Sequence, residues 1–143
     1  MGARRTARER ALQALYQVEM TPGSISEALD AAWAASEVAT EEARKEPEAV
    51  KFARELTEGV MAHRAEIDRL IEQHSHNWRL DRMSRIDRNV LRLGVFELKY
   101  RPDIPKKVSL NEAVELGKNF GTEESSAFVN GLLDRVAVAL GKQ

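Results

Sequence analysis

The chain has 143 residues, with 43% hydrophobic and 31% charged side chains and a formal net charge of −1. One domain or two small subdomains fit that length, and the ordinary globular balance excludes disorder along the whole chain. The absence of cysteine excludes a disulfide scaffold, thiolate metal ligands and a cysteine nucleophile.

No apolar run reaches the length of a membrane span, and the basic start MGARRTARER is not followed by the apolar stretch of a signal peptide. A cytosolic protein is the expectation. The near-neutral total hides a pattern. Residues 1–10 carry four Arg against one Glu, residues 21–50 carry seven acids against Arg44 and Lys45, and residues 78–107 carry nine basic side chains against four acids. Two basic blocks flank an acidic one, an asymmetry compatible with a nucleic-acid surface.

Helical periodicity runs nearly throughout, which predicts an all-α fold of six or seven helices. The first helix is expected from Thr6 to Glu19, with Ala7, Ala11, Leu12, Leu15 and Val18 on one face and Arg4, Arg5, Arg8 and Arg10 before it or opposite. Thr21-Pro22-Gly23 stops it. Ser24 and Glu27 have the spacing of a capping box, opening a second helix with a stripe of Ile25, Ala28, Leu29, Ala32 and Trp33. Residues 36–46 are acidic and weakly patterned and read as a loop or frayed end.

Pro47 suits the first turn of a third helix carrying Val50, Ala53, Leu56 and Val60. Ile67, Leu70 and Ile71 continue the pattern in a fourth, directly or after a kink between Gly59 and His63. Residues 74–82 read as a connection anchored by Trp78 and Leu80. A fifth helix covers Ser84 to Tyr100, with Arg85, Arg88 and Arg92 sharing a face and Asp81 and Asp87 placed for local ion pairs. Pro102 and Pro105 end it. A second capping box, Ser109 with Glu112, is expected to open a sixth helix that Gly121 closes in a left-handed cap. Thr122 then caps a seventh, striped by Phe128, Val129, Leu132, Leu133 and Val136. Gly131 in mid-helix implies that another helix crosses closely there.

His63, His74 and His76 lack accompanying ligands for a metal, and no catalytic motif is present. The N-terminal arginines are the strongest functional signal. Positive charge at a helix N-terminus opposes the macrodipole, so the cluster reads either as a phosphate-binding handle or as a solvated helix start.

Three stretches carry a resemblance: ARERALQALYQ near the start, DRNVLRLGVFEL in the middle, and VSLNEAVELGKNFGTEESSAFVNGLLD near the end. Together they resemble the NusB family of transcription antitermination factors over nearly the whole chain. The resemblance implies one RNA-binding domain over residues 1–143, built as two three-helix units at an angle plus a seventh helix. It implies binding of boxA RNA in ribosomal RNA transcripts together with a small-subunit ribosomal protein (NusE), within an RNA polymerase antitermination complex. It implies neither an enzyme nor a cofactor. By match to the family motifs, Arg4, Arg5, Arg8, Phe120, Glu124, Ser125 and Phe128 are the RNA-side residues, and Tyr16, Asp81 and Asp87 the protein-partner residues. Thr6 and Ala127 stand where relatives can carry a basic residue, which lowers the expected RNA affinity. Two other readings compete. One is a domain working with an RNA cytosine methyltransferase, which a methyl-transfer assay would detect. The other is a homodimerisation module, which light scattering would detect.

Overall fold

The computed structural model describes residues 2–35, 47–76 and 78–142. Among them are seven α-helices: α1 (Ala3–Met20), α2 (Ile25–Ala35), α3 (Pro47–Ala62), α4 (Arg64–Gln73), α5 (Arg85–Tyr100), α6 (Lys106–Phe120) and α7 (Ser125–Leu140). A 3₁₀ turn at Leu80–Arg82 precedes α5, and the described residues contain no strand. The all-α reading of the sequence therefore holds. The acidic stretch 36–46 lies outside the described residues.

The chain divides into two compact units, Met1–Met61 and Ala62–Gln143. In the first, α1 packs on α2. The expected faces supply most of its core: Ala7, Ala11, Leu12 and Leu15 from α1, Leu29 and Trp33 from α2, Ala53, Leu56 and Val60 from α3, joined by Phe52, which lies outside the expected stripe. Ser24 caps α2, its Oγ accepting from the Glu27 N–H at 3.0 Å, as the capping-box spacing predicts.

The second unit is organised around α5, which packs on α4, α6 and α7. Every residue from Asn89 to Leu98 is buried, so this helix is enclosed on all sides. Such a position forces its polar groups to find partners. Arg92, 3% exposed, makes two hydrogen bonds to the Asp68 carboxylate (2.8 and 3.1 Å) and a third to Asn89 Oδ1. Glu97 accepts from Ser109 Oγ at 2.9 Å, tying α5 to α6. The predicted arginine face is thus divided: Arg92 is interior, and Arg88 donates to the Met83 carbonyl.

The helix boundaries correct four expectations. Helix α6 opens at Lys106, behind Pro105 with φ −63° and ψ 148°, not at a Ser109 cap. The proline sets the extended geometry that a helix start needs, four residues before the expected box. That leaves Ser109 inside the helix, where its hydroxyl serves Glu97. Gly121 has φ −99° and ψ −155°, which is extended and not left-handed. Glycine is required there for space, since a Cβ would lie 2.3 Å from Ser125 Oγ and 2.8 Å from the Gly117 carbonyl oxygen. Gly131 meets no crossing helix; a Cβ would meet only Arg135 Nη1, at 3.6 Å. The close crossings fall at Gly94, where a Cβ would lie 2.6 Å from Leu133 Cδ1, and at Gly117, 3.4 Å from the backbone of Ser125 and Ser126. Finally, Asp81 lies in the 3₁₀ turn ahead of α5, so it is not one helical turn below Arg85. It pairs instead with Arg79 at 3.5 Å.

Candidate nucleic-acid and protein-docking interface

The basic block of the first unit enters the helix earlier than its periodicity implies. Helix α1 starts at Ala3 after Gly2, with no side-chain cap and no acid in its first turn, so Arg4 and Arg5 sit at the positive end of the helix dipole. The four arginines have different fates. The guanidinium carbons of Arg4 and Arg8 lie 4.6 and 5.2 Å from the Phe52 ring centroid, both within cation–π range. Arg4 and Arg5 are half-buried. Arg8 and Arg10 are only 3% and 8% exposed, and Arg10 donates to Gln13 Oε1 at 3.1 Å. The expectation that all four lie before or opposite the apolar face is therefore corrected. An arginine stem is apolar enough to pack inward when an aromatic face receives its head, and Phe52, 44 positions from Arg8, is that face. Tyr16, half-buried, is on the same helix near its end.

In the second unit, Trp78, Arg82, Ser84, Asp87, Glu124 and Phe128 are among the residues lining a groove of about 180 Å³. Three of the residues singled out from the sequence meet there: Asp87 from the protein-partner set, Glu124 and Phe128 from the RNA set. Asp87 is placed by the start of α5, where Ser84 Oγ accepts from its N–H at 3.0 Å. Its carboxylate then lies in the first turn, which the helix dipole favours. Asp87 Oδ1 is buried and has no hydrogen-bond partner, so the expected local ion pairing does not satisfy it. Asp81, by contrast, is outside the groove. Its pair with Arg79 has both side chains more than 70% exposed, a geometry that holds little energy.

The turn between α6 and α7 places the remaining RNA-side residues. Phe120 is 36% exposed at the end of α6. Ser125 is 1% exposed, and its Oγ accepts from the Thr122 N–H at 2.9 Å. The cap expected from Thr122 is not formed: α7 begins at Ser125 behind Glu124 with no side-chain cap, and the turn is tied from the helix side by this bond. The Ser125 hydroxyl orders the turn from inside, and its burial takes it off the contact surface. Glu124 is exposed and Phe128 is half-buried.

Sequence reading missed Trp78, assigned to anchoring the 74–82 connection. Leu80 does anchor it, at 8% exposure, but Trp78 is 56% exposed. The signal available was the lone tryptophan in a polar run.

Away from the groove, Tyr100 donates to Glu66 Oε2 at 2.6 Å, stacks on His63 with ring centroids 4.1 Å apart, and neighbours the Lys99–Glu66 ion pair. Burial, and then the Glu66 acceptor, push the Tyr100 hydroxyl up to about 12. Hydrogen bonds from Lys99 and Tyr100 hold the Glu66 carboxyl below its ordinary value. Among the described residues, no group of three or more His, Cys, Asp or Glu is placed to hold a metal ion, and no helix is long and apolar enough to cross a membrane.

The model of the NusB family matches residues 5–138. The transcription antitermination protein NusB of Myxococcus xanthus is 78% identical over 142 residues, covering 99% of each chain. Among solved structures, NusB of T. maritima has a TM-score of 0.82 at 37% identity, covering 94% of this chain and 90% of that one. A structure of the antitermination factors NusB and NusE in complex with dsRNA has a TM-score of 0.83 at 29% identity, covering 96% and 97%. The chain belongs to the NusB family of transcription antitermination proteins.

Proposed function

We propose that this chain acts in antitermination by binding boxA-type RNA of ribosomal RNA transcripts together with the ribosomal protein NusE, in the cytoplasm, as part of a complex that lets RNA polymerase resist termination. Antitermination in this family is a binding function and not a catalytic one. The observation that carries the reading is the groove of the second unit. It collects Asp87, matched to partner docking, with Glu124 and Phe128, matched to RNA. The solved structure of NusB and NusE with RNA supports the same pairing of partners.

Each contact has its own chemistry. Arg4 and Arg5 supply the phosphate-binding charge. The exposed Phe120 offers a face on which an unpaired base stacks, and the Glu124 carboxylate accepts from a base amino group. Arg8 and Ser125, buried as they are, hold α1 and the turn before α7 in place. Asp87 and Asp81 in the second unit are acids suited to a basic partner, and Tyr16 in the first unit is a separate candidate for that docking. Binding of RNA and of NusE should favour each other, and that coupling is reciprocal. The test is a gel shift with boxA RNA, with and without NusE. The expected result is a shift that NusE strengthens. A complex of the same affinity on an unrelated RNA, or no effect of NusE, would overturn the proposal.

A further inference from the structure

Trp78 has no role in the reading so far, yet its backbone is held firmly. The buried Ser75 hydroxyl donates to the Trp78 carbonyl, and the Trp78 N–H donates back to the Ser75 carbonyl at 3.2 Å. Two residues earlier, His76 takes φ 44°, a left-handed conformation uncommon in a residue with a side chain. A pinned turn thus keeps an indole 56% exposed beside a groove that it lines together with Arg82, Glu124 and Phe128. Apolar ring surface left in water is stabilised when a flat partner covers it.

The lining offers three kinds of contact. Trp78 and Phe128 give aromatic faces, on which an unpaired base stacks. Glu124 is an exposed carboxylate, which only accepts, so it fits the donor edge of a base and repels a phosphate. Arg82 is an exposed guanidinium with no ion pair among the described residues, its neighbour Asp81 being paired with Arg79. A phosphate suits that fork. A protein cation would be drawn by Glu124 and repelled by Arg82, whereas a nucleotide uses both, one through its base and the other through its phosphate. A void of about 150 Å³ lodges a benzene-sized molecule, so about 180 Å³ admits the ring of one base but not a helix or strand.

We infer that this groove takes one unpaired RNA base, with Trp78 stacked on its face, Glu124 accepting from its exocyclic amino group and Arg82 holding the adjoining phosphate. Uracil, the RNA base without an exocyclic amino group, is the one that this site disfavours. The inference rests on the RNA reading of Glu124 and Phe128 proposed above. It adds Trp78 and Arg82 to the RNA side and an amino-bearing base as what the groove selects.

The test uses the full chain, with boxA RNA and with NusE separately. Of the two tryptophans, Trp33 is 7% exposed, so acrylamide quenching of the emission reports Trp78. RNA alone should shield Trp78 from acrylamide. Trp78→Ala should weaken RNA binding about tenfold and Trp78→Phe, which keeps a stacking ring, less. Arg82→Gln should flatten the salt dependence by about 0.7 in log–log slope, the share of one phosphate contact. When the RNA positions are made abasic one at a time, one position should lose its effect in Trp78→Ala, since both changes remove the same stack. At that position uracil should bind more weakly than an amino-bearing base, and Glu124→Ala should abolish the difference. Tight RNA binding that leaves Trp78 open to acrylamide and is unchanged by Trp78→Ala would overturn the subsite and leave the RNA reading standing, as would shielding of Trp78 by NusE and not by RNA. Failure of the unaltered chain to bind boxA RNA would overturn both.

Discussion

The two charged regions of this protein satisfy their charges in opposite ways. In the first unit, Arg4 and Arg8 meet the ring of Phe52, and Arg8 and Arg10 are buried. In the second, Asp87 carries a buried oxygen with no hydrogen-bond partner, in a groove walled by Trp78 and Phe128. The arginine cluster is therefore partly scaffold, whereas the acidic groove is left incomplete by the fold. A charge that structure already stabilises contributes little on binding, and one that structure leaves unsatisfied can contribute much.

Substitutions can break this contrast at several points. The largest expected effect is on the frame of the second unit. Asp68→Ala strips the buried Arg92 of its carboxylate and should destabilise the protein by about 3 kcal/mol, read from denaturant unfolding. Gly121→Ala places a Cβ against Ser125 Oγ and should cost about 1–3 kcal/mol while also weakening NusE and RNA binding, because the turn it displaces carries Thr122 and Glu124 into the groove. Within the arginine cluster the contrast becomes sharper. Replacing Arg4 and Arg5 by Ala should lower RNA affinity and flatten its salt dependence by about 0.7 in log–log slope per lost phosphate contact. Arg8→Ala should lower the melting temperature and leave that slope nearly unchanged.

Asp87→Asn should separate stability from binding: little change in the stability of the free protein, because loss of a buried acceptor without a partner is offset by loss of a first-turn charge that the helix dipole favours, but weaker NusE binding. The smallest effect is remote from the groove. In a Tyr16→Phe background, phenolate absorbance of Tyr100 should rise with a midpoint at about 12, against an ordinary value of 10.0. Because the folded value is the raised one, the stability this hydroxyl contributes is complete below pH 10 and is lost as the pH rises towards about 12. An absorbance midpoint near 10 would show that neither the burial of the Tyr100 hydroxyl nor its hydrogen bond to Glu66 persists in solution.

Much of the fold was legible because it depends on local rules. Apolar spacing located all seven helices, Ser24 and Ser84 marked two starts, and Pro47 a third. Some errors occur where a distant residue decides, as nothing near Gly94 in sequence reveals Leu133; others turn on which of several local signals wins, as Pro105 over Ser109 and Ser125 beside Gly121. The family motifs led to Asp87, Glu124 and Phe128, which share a groove, but placed Arg8 and Ser125 on a binding surface when packing has drawn both inside. Trp78 illustrates the converse. A tryptophan in a polar connection reads as a core anchor, and only the turn pinned by Ser75 brings it out.

The central claim is a division of labour, with RNA phosphates held by the N-terminal arginines and the ribosomal protein by Asp87 at the start of α5. It is tested most directly by measuring boxA RNA affinity of the unaltered chain, of the Arg4→Ala, Arg5→Ala double variant and of Asp87→Asn, each with and without NusE. The account predicts that the double variant binds RNA more weakly in both conditions, while Asp87→Asn binds RNA alone normally and loses the gain that NusE confers. If Asp87→Asn weakened binding of RNA alone as much as the arginine variant did, the two regions would not divide the partners, and the account would be contradicted.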